Sequence, residues 1–157
     1  MGYLYTMNSK FTFEEYKKFN YAITSNINKM PVKIVIVEVL FLLIAYMYMK
    51  EYLYTTFVAI FCAILFPIMI TFSIRNNIKK TYNSNKSMKD LEVDFEFYND
   101  YCVYKCKLGE TKSEYKDLYK IIETKTNFYL MIAKNQGIIL KKENCNEELQ
   151  KFVRKLI

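Results

Sequence analysis

The fold of this chain is decided by residues 31–74, which read PVKIVIVEVLFLLIAYMYMKEYLYTTFVAIFCAILFPIMITFSI. Within this stretch, residues 52–74 carry no charged side chain, and residues 34–49 carry a single one, Glu38. Apolar runs of this length are typical of helices that cross a bilayer. The overall composition, 52% hydrophobic and 25% charged over 157 residues, hides this uneven distribution. The sequence therefore predicts a membrane protein with a soluble part rather than a soluble enzyme.

The two apolar runs match the thickness of a bilayer and are joined by a very short link. At 1.5 Å per residue, residues 31–49 would make a helix of about 28 Å and residues 52–74 one of about 34 Å, near the hydrocarbon thickness of about 30 Å. Only Lys50 and Glu51 lie clearly between them. So short a connection predicts an antiparallel hairpin of two transmembrane helices.

Basic residues flank both ends of the hairpin and predict its orientation. They are Lys10, Lys17, Lys18, Lys29 and Lys33 before it, and Arg75, Lys79, Lys80, Lys86 and Lys89 after it. The tip carries only Lys50, among four tyrosines that suit an interfacial aromatic belt. The positive-inside rule then places both termini in the cytoplasm. Because the abundance of Lys, Asn, Ile and Tyr is typical of an AT-rich bacterial genome, the expected location is the bacterial inner membrane.

The chain is thus predicted to have three regions: a cytoplasmic strand and helix in residues 1–30, the membrane hairpin in residues 31–75, and a cytoplasmic domain in residues 90–157. In the first region a short strand is expected near the start. Thr12 and Glu15 have the spacing of a capping box, in which Thr caps a backbone N–H and Glu reaches back. A helix is expected to follow. The sequence leaves open whether the first region packs on the third.

Alternation of apolar and polar residues predicts that the third region is rich in β-structure. The alternation is strict over residues 91–97, and a second strand follows the Asn99-Asp100 turn. Further short strands are expected at 112–115, 118–123, 128–133 and 138–140, followed by a terminal helix capped by Asn144 or Asn146. The expected fold class is a membrane α-helical hairpin plus an α+β domain, in which a small curled antiparallel sheet is closed by the C-terminal helix.

Several classes of chemistry are excluded by what the chain lacks. It has no histidine, which excludes Ser-His-Asp and Cys-His catalysis and any His-ligated metal. Three glycines in the whole chain exclude a Gly-rich phosphate cradle. The four cysteines show no CxxC spacing and are interpreted as reduced cytosolic thiols. We therefore expect no enzymatic activity, no catalytic residue, no cofactor and no metal site.

The net charge of +7 is located beside the membrane segments. Residues 1–89 hold 11 basic and 4 acidic side chains, whereas residues 90–157 hold 12 of each. A nucleic-acid-binding domain should carry its own basic patch. Nucleic acid is therefore not expected as a partner.

Four stretches of the chain carry a resemblance to a known family. They read FTFEEYKKF at 11–19, YKDLYKIIET at 115–124, FYL at 128–130 and GIILKK at 137–142. Their order around a transmembrane hairpin resembles the YcxB-like family of bacterial membrane proteins. A proline often found before the family's last lysine is Leu140 here.

The resemblance implies a small β-domain similar to bacterial pleckstrin-homology-like (PH-like) domains after the hairpin. The family has no well-defined activity, so the resemblance implies no catalytic residues for this chain.

Glu38 is the most suggestive residue of the hairpin. A carboxylate inside a membrane costs free energy and is a functional candidate by default. In a strict antiparallel hairpin its level is near residues 62–65, which offer no cationic partner. Three interpretations stay open: the carboxylate reaches the inner interface, it contacts another helix or a second copy of the chain, or it serves transport or proton chemistry.

The basic cluster that follows the hairpin is the second candidate site. It consists of Arg75, Lys79, Lys80, Lys86 and Lys89. Each cation near an anionic membrane surface contributes on the order of 1 kcal/mol. The cluster is interpreted either as a contact for anionic lipid, which would hold the β-domain against the inner leaflet, or as a topology signal only.

Tyrosines give a weak indication of a protein-binding face. Five of them are too many for the core of so small a domain: Tyr101, Tyr104, Tyr115, Tyr119 and Tyr129. Exposed tyrosines favour protein contact.

The expected function is a non-enzymatic module that presents a PH-like domain at the bilayer to a protein or anionic-lipid partner. The neutral domain favours a protein, and a homo-oligomer is a further hypothesis. Two alternatives are an immunity protein that blocks a membrane-active toxin, and a small transporter or channel subunit that uses Glu38.

Overall fold

A computed structural model of the chain describes residues 2–50, 52–87 and 89–157. The described residues form four helices and two antiparallel sheets. In chain order the elements are β1 (Tyr5–Phe11), α1 (Phe13–Asn26), α2 (Met30–Tyr48), α3 (Leu53–Ser84), β2 (Leu91–Phe97), β3 (Tyr101–Cys106), β4 (Gly109–Glu114), β5 (Lys120–Glu123), β6 (Asn127–Ala133), β7 (Gln136–Lys141) and α4 (Glu147–Lys155). Short 3-10 turns follow β4 and β7.

The two apolar runs form the helices α2 and α3, which pack against each other. Near the link, the Thr56 hydroxyl donates to the Ala45 carbonyl at 3.3 Å. Further along, the rings of Phe41 and Phe66 are 6.2 Å apart. Both helices are long and apolar enough to cross a membrane, and most of their apolar side chains are exposed on the chain itself. A core helix of a soluble protein would bury such a surface.

The helix α3 is longer than the sequence predicted. The expected segment ends at residue 74, but α3 continues to Ser84 and takes in the start of the expected polar linker. Residues 75–84 contain no glycine or proline, and they place Ile78 and Tyr82 one turn apart, where both are buried. This short buried stripe keeps the helix intact beyond the apolar run, because packing contributes more to helix stability than intrinsic propensity.

The first strand of the chain pairs with a strand that follows the hairpin. β1 runs antiparallel to β2 from the Tyr5–Phe97 pair to the Phe11–Leu91 pair. This strand lies later than the expected one near the start of the chain. The question that the sequence left open is therefore answered: the N-terminal region packs on the C-terminal region.

The β-structure consists of two sheets where a single curled sheet was expected. One sheet has the order β1-β2-β3-β4, and the other has the order β5-β6-β7. Between β4 and β5 the chain makes the turn Tyr115–Asp117, and among the described residues no ladder joins these strands. The ends of the strands after β3 differ from the expected ranges by up to three residues. β4 begins at Gly109, whose φ of 136° is a backbone conformation in which a residue with a side chain would be strained.

The hydrophobic core has two layers, one on each face of the second sheet. Inward-facing residues such as Phe128 and Leu130 pack on the first sheet and on Leu149 of α4. The alternate residues, Tyr129 and Met131, pack under α1. β6 is thus buried on both faces, which explains its apolar sequence.

The terminal helix α4 is positioned by its first and last turns. The Asn146 side chain accepts a hydrogen bond from Leu149 N at 2.8 Å, so Asn146 is the cap. Asn144 instead donates to the Asn8 carbonyl of β1 at 2.7 Å. The buried residues Leu149 and Val153 fill one end of the space between the sheets.

Candidate functional site

Tyr82 joins the α2–α3 hairpin to the folded domain. Its ring centroid lies 6.5 Å from that of Phe11, 5.3 Å from that of Phe13 and 5.7 Å from that of Tyr16. The Tyr82 hydroxyl donates to the Phe11 carbonyl and accepts from Asp90 N, both at 3.4 Å. The chain entering the hairpin and the chain leaving it therefore meet at one buried side chain.

The five residues of the basic cluster all lie on the surface. Arg75, Lys79 and Lys80 lie on the extension of α3, and Lys86 and Lys89 lie in the link to β2. None of them forms an ion pair with any residue that the structure describes. These charges are available to an external anionic surface.

Glu38 lies half-buried in α2, one turn before Phe41. Because Phe41 contacts Phe66 and the helices are antiparallel, Glu38 lies at the level of the helical turn of residues 67–70 and not, as the sequence predicted, at that of residues 62–65. That turn, PIMI, is uncharged. Within residues 2–50, 52–87 and 89–157, Glu38 makes no ion pair.

A cavity of about 590 Å³ opens at the end of the inter-sheet space that α4 does not fill. Along β2, Phe97 is fully buried in the core, whereas Val93 and Leu91 line the cavity. Most of the remaining lining is hydrophobic and comes from β1, β3, α1 and the β6–β7 hairpin. Half-open apolar cavities of this size are the usual form of ligand sites. The sequence does not predict this cavity, because the cavity depends on how two sheets meet.

Glu15 is the buried charge beside this cavity. Lys18 donates to its carboxylate at 2.8 Å, and the Asn127 side-chain amide donates to its other oxygen. Burial alone would raise the pKa of Glu15, but the two hydrogen bonds, together with the positive charges of Lys18 and Lys141, outweigh burial and lower the pKa below its usual range. The hydrogen bond between Asn127 and Glu15 connects α1 to the first residue of β6.

The capping box expected at the start of α1 is only half formed. The Thr12 hydroxyl accepts from Glu15 N at 3.4 Å, as predicted. The Glu15 side chain points to Asn127 and Lys18 rather than back to the cap, because the helix packs on the second sheet at this point. The capping-box spacing distinguishes Glu15 from its neighbour Glu14, but nothing in the sequence indicates that Glu15 is buried and Glu14 exposed.

The cysteines lie apart from each other and are reduced. Cys102 and Cys145 are buried, and burial raises the pKa of each thiol to about 11. Such thiols are poor nucleophiles at neutral pH. Among the described residues, no group of three or more Cys, Asp or Glu is placed to hold a metal ion.

The expected tyrosine face is not formed. Tyr129 is fully buried, and Tyr101, Tyr104 and Tyr115 are partly buried, so only Tyr119 of the five is exposed. Tyr129 packs against Phe19 of α1, Tyr115 against Phe152 of α4, and Tyr101 against Tyr98. The cavity is the more distinctive surface feature.

Comparison with known proteins identifies the C-terminal part of the chain. Residues 97–157 match the family model described as YcxB-like protein, which confirms the expected resemblance over this region, less than half of the chain. No curated protein and no solved structure matches the chain. The matched region begins at the last residue of β2 and therefore leaves out β1, α1 and both apolar helices.

Proposed function

We propose that this chain is a non-enzymatic, two-pass protein of the bacterial inner membrane that presents a PH-like binding domain to the cytoplasm. The observation that carries the proposal is the position of the hairpin within the fold. α2 and α3 are inserted between α1 and β2, and the elements on both sides of them pair and pack together. A hairpin that crosses the membrane twice returns the chain to the side from which it came, as this packing requires.

The architecture of the soluble part supports the PH-like description. It has seven antiparallel strands in sheets of four and three, with a C-terminal helix packed between them. The YcxB-like match covers the strands and the helix of its second half. Such a domain offers surfaces for binding, and its partner is a protein or an anionic lipid.

The distribution of charge supports the cytoplasmic side. The basic residues beside α2 and α3 lie at the domain end of both helices, and the exposed cluster includes Arg75, Lys79 and Lys80. Cations at this position keep the segments that flank the helices on the cytoplasmic side, and they attract anionic lipid. The same five cations can serve both purposes.

Site-specific photocrosslinking in living cells tests whether the domain binds through its cavity. A photoreactive amino acid is placed at Leu108, which lies at the cavity and is 62% exposed. The matched control is the same amino acid at Lys125, an exposed position in the β5–β6 turn. The proposal predicts a discrete adduct from Leu108 and none from Lys125. Equal labelling at both positions would contradict it.

Glu38 supports a second candidate, a small transporter or channel subunit. A half-buried carboxylate at the level of an uncharged turn is a costly feature that transport would explain. This candidate predicts that Glu38→Gln abolishes function while expression and folding persist. The binding module instead predicts that Glu38→Gln is tolerated.

A further inference from the structure

We infer that the cavity binds one acyl chain of a single-chain anionic amphiphile that reaches it from the adjacent membrane. The inference rests on the proposed function, because it requires the hairpin to hold the domain beside the inner leaflet. It adds to that function the chemical class of the ligand and the site that receives it.

The lining of the cavity fits an acyl chain better than a peptide. Much of its wall is formed by faces of β-strands, which present apolar side chains such as Val93, Tyr104 and Ile138. A peptide lying across these side-chain faces, rather than along the edge strands β1, β4 and β7, would bury backbone amides without partners, which costs free energy for each group. An acyl chain has no polar groups to satisfy. A volume of about 590 Å³ accommodates a ligand of this size.

The cavity lies at the end of the domain that is closest to the hairpin. Phe11 and Leu91, the last residue of β1 and the first of β2, both line it. Phe11 also contacts Tyr82. Tyr82 follows Arg75 by seven residues, so it lies about 10 Å along α3 from the end of the apolar run. An amphiphile leaving the bilayer would travel only a short distance to this opening.

The charges around the cavity fit an anionic head group. Lys10 lies at the cavity, is exposed, and forms no ion pair with residues that the structure describes. Of the two acidic residues of the lining, Glu15 is paired with Lys18, whereas Glu110 lies opposite Lys105, which forms its ion pair with Glu96. Lys10, which lies opposite Glu92 in the β1–β2 ladder without forming an ion pair with it, and the basic cluster supply the positive charge at this end of the domain.

Tryptophan fluorescence offers a direct test, because the chain contains no tryptophan. Three full-length variants in phospholipid nanodiscs each carry one tryptophan: Leu108→Trp at the cavity, Tyr119→Trp at an exposed site away from it, and Tyr54→Trp at the hairpin tip. The probe is dibrominated stearate, whose bromine atoms quench tryptophan on contact. The inference predicts saturable quenching of Leu108→Trp at probe concentrations that leave Tyr119→Trp unquenched.

Substitutions that fill the cavity distinguish binding of the probe in the cavity from quenching by probe that is only dissolved in the nearby bilayer. Adding Val93→Phe to Leu108→Trp should raise the half-quenching concentration about tenfold, equivalent to about 1.4 kcal/mol. Ile132→Phe, at the rim of the cavity, replaces Val93→Phe if circular dichroism shows that the latter impairs folding. Quenching that neither substitution weakens would overturn the inference.

The Tyr54→Trp variant distinguishes a failure of the acyl-chain site from a failure of the proposed function. If Tyr54→Trp is quenched but Leu108→Trp behaves like Tyr119→Trp, the acyl-chain site is wrong and the membrane anchor stands. If Tyr54→Trp is not quenched either, the hairpin is not in the bilayer and the proposed function fails as well. Release of bound fatty acid from purified wild-type protein, measured by mass spectrometry, gives a supporting result that needs no substitution.

Discussion

Glu15 is the residue that holds the N-terminal helix on the second sheet. It is buried, and its carboxylate receives hydrogen bonds from Lys18 and Asn127. Because these bonds lower its folded-state pKa below the usual 4.5, folding favours the ionised form. Its contribution to stability is therefore fully present above the unfolded-state pKa and is lost as the pH falls through the folded-state pKa.

Replacing this carboxylate is expected to weaken the domain. Glu15→Gln keeps the shape but removes the charge that Lys18 and Asn127 bind, which should lower the free energy of unfolding by about 1–3 kcal/mol at pH 7. Denaturant titration of the purified protein gives this value. The matched control is Glu14→Gln, because Glu14 is exposed and pairs only with Lys17, so its loss should cost at most about 1 kcal/mol.

Acidification provides an independent check on the same residue. The difference in stability between wild type and Glu15→Gln should be largest above pH 4.5 and should shrink as the pH falls further. A difference that stays constant down to pH 2 would show that Glu15 acts through packing alone.

The residues that could be predicted from the sequence are those whose role is local. Thr12 caps α1 and Asn146 caps α4, because the side-chain oxygen of each accepts a hydrogen bond from the backbone N–H three residues later. Glu15 and Asn127 are 112 positions apart, and nothing near either one indicates the other. Their pairing arises only when α1 packs on the second sheet.

At the scale of elements, the extension of α3 determines how the domain is attached to the hairpin. Tyr82 contacts three aromatic rings and two backbone groups across this junction. A helix that continues unbroken from the apolar run to Tyr82 fixes the position of the domain more firmly than a flexible linker would.

Substitutions of Tyr82 should loosen this junction in two steps. Tyr82→Phe loses only the two long hydrogen bonds and should cost about 0.5–1.5 kcal/mol. Tyr82→Ala also removes the ring from its aromatic neighbours and should cost about 3 kcal/mol or more. Thermal unfolding and the rate of proteolysis in the link after Ser84 measure both effects. Tyr119→Ala, at an exposed tyrosine, is the control; a junction variant no more sensitive than this control would contradict the account.

The elements that could be predicted are those with a strong periodic pattern. The two apolar runs, the alternating strand of residues 91–97 and the apolar stripe of α4 all lie close to where the sequence predicts them. The end of α3 was not predicted, since residues 75–84 are mostly polar and only Ile78 and Tyr82 mark a buried face. A stripe of two residues cannot be distinguished from a linker without knowing what packs on it.

At the scale of the whole molecule, the soluble domain is assembled from both sides of the hairpin. β1 supplies an edge of the four-stranded sheet, and α1 covers the outer face of the other sheet. Pairing between residues 5–11 and 91–97 joins segments separated by the entire hairpin. The YcxB-like region, residues 97–157, contains neither β1 nor α1.

Residues 90–157 are therefore expected to be unstable alone. The isolated fragment would expose Phe95, Tyr129 and Ile139, which β1 and α1 cover in the full chain. A chain in which a flexible linker replaces residues 29–74 lacks the apolar runs but keeps the buried Ile78 and Tyr82, and it should restore cooperative unfolding. Circular dichroism melts and amide NMR dispersion compare the two. A fragment that folds as well as the linked form would show that the N-terminal region is dispensable.

The division into hairpin and soluble part could be predicted from composition, but the joining of the two soluble parts could not. Residues 5–11, YTMNSKF, have only a weak alternating pattern, and their partner strand lies some eighty positions later. Pairing over such a separation depends on the hairpin bringing its ends together. For the same reason the cavity, which is lined by both parts, has no signature in the sequence.

The central claim is that the hairpin crosses the membrane twice and leaves the whole soluble domain in the cytoplasm. Cysteine labelling in intact cells with a membrane-impermeant maleimide tests it. Cys62→Ser and Cys106→Ser remove the two accessible thiols, whereas Cys102 and Cys145 stay, because burial raises the pKa of each to about 11 and keeps them unreactive. Lys50→Cys then reports on the tip and Lys125→Cys on the domain.

The account predicts that Lys50→Cys is labelled in intact cells and that Lys125→Cys is labelled only after the cells are permeabilised. Labelling of Lys125→Cys in intact cells, or protection of Lys50→Cys until permeabilisation, would contradict it.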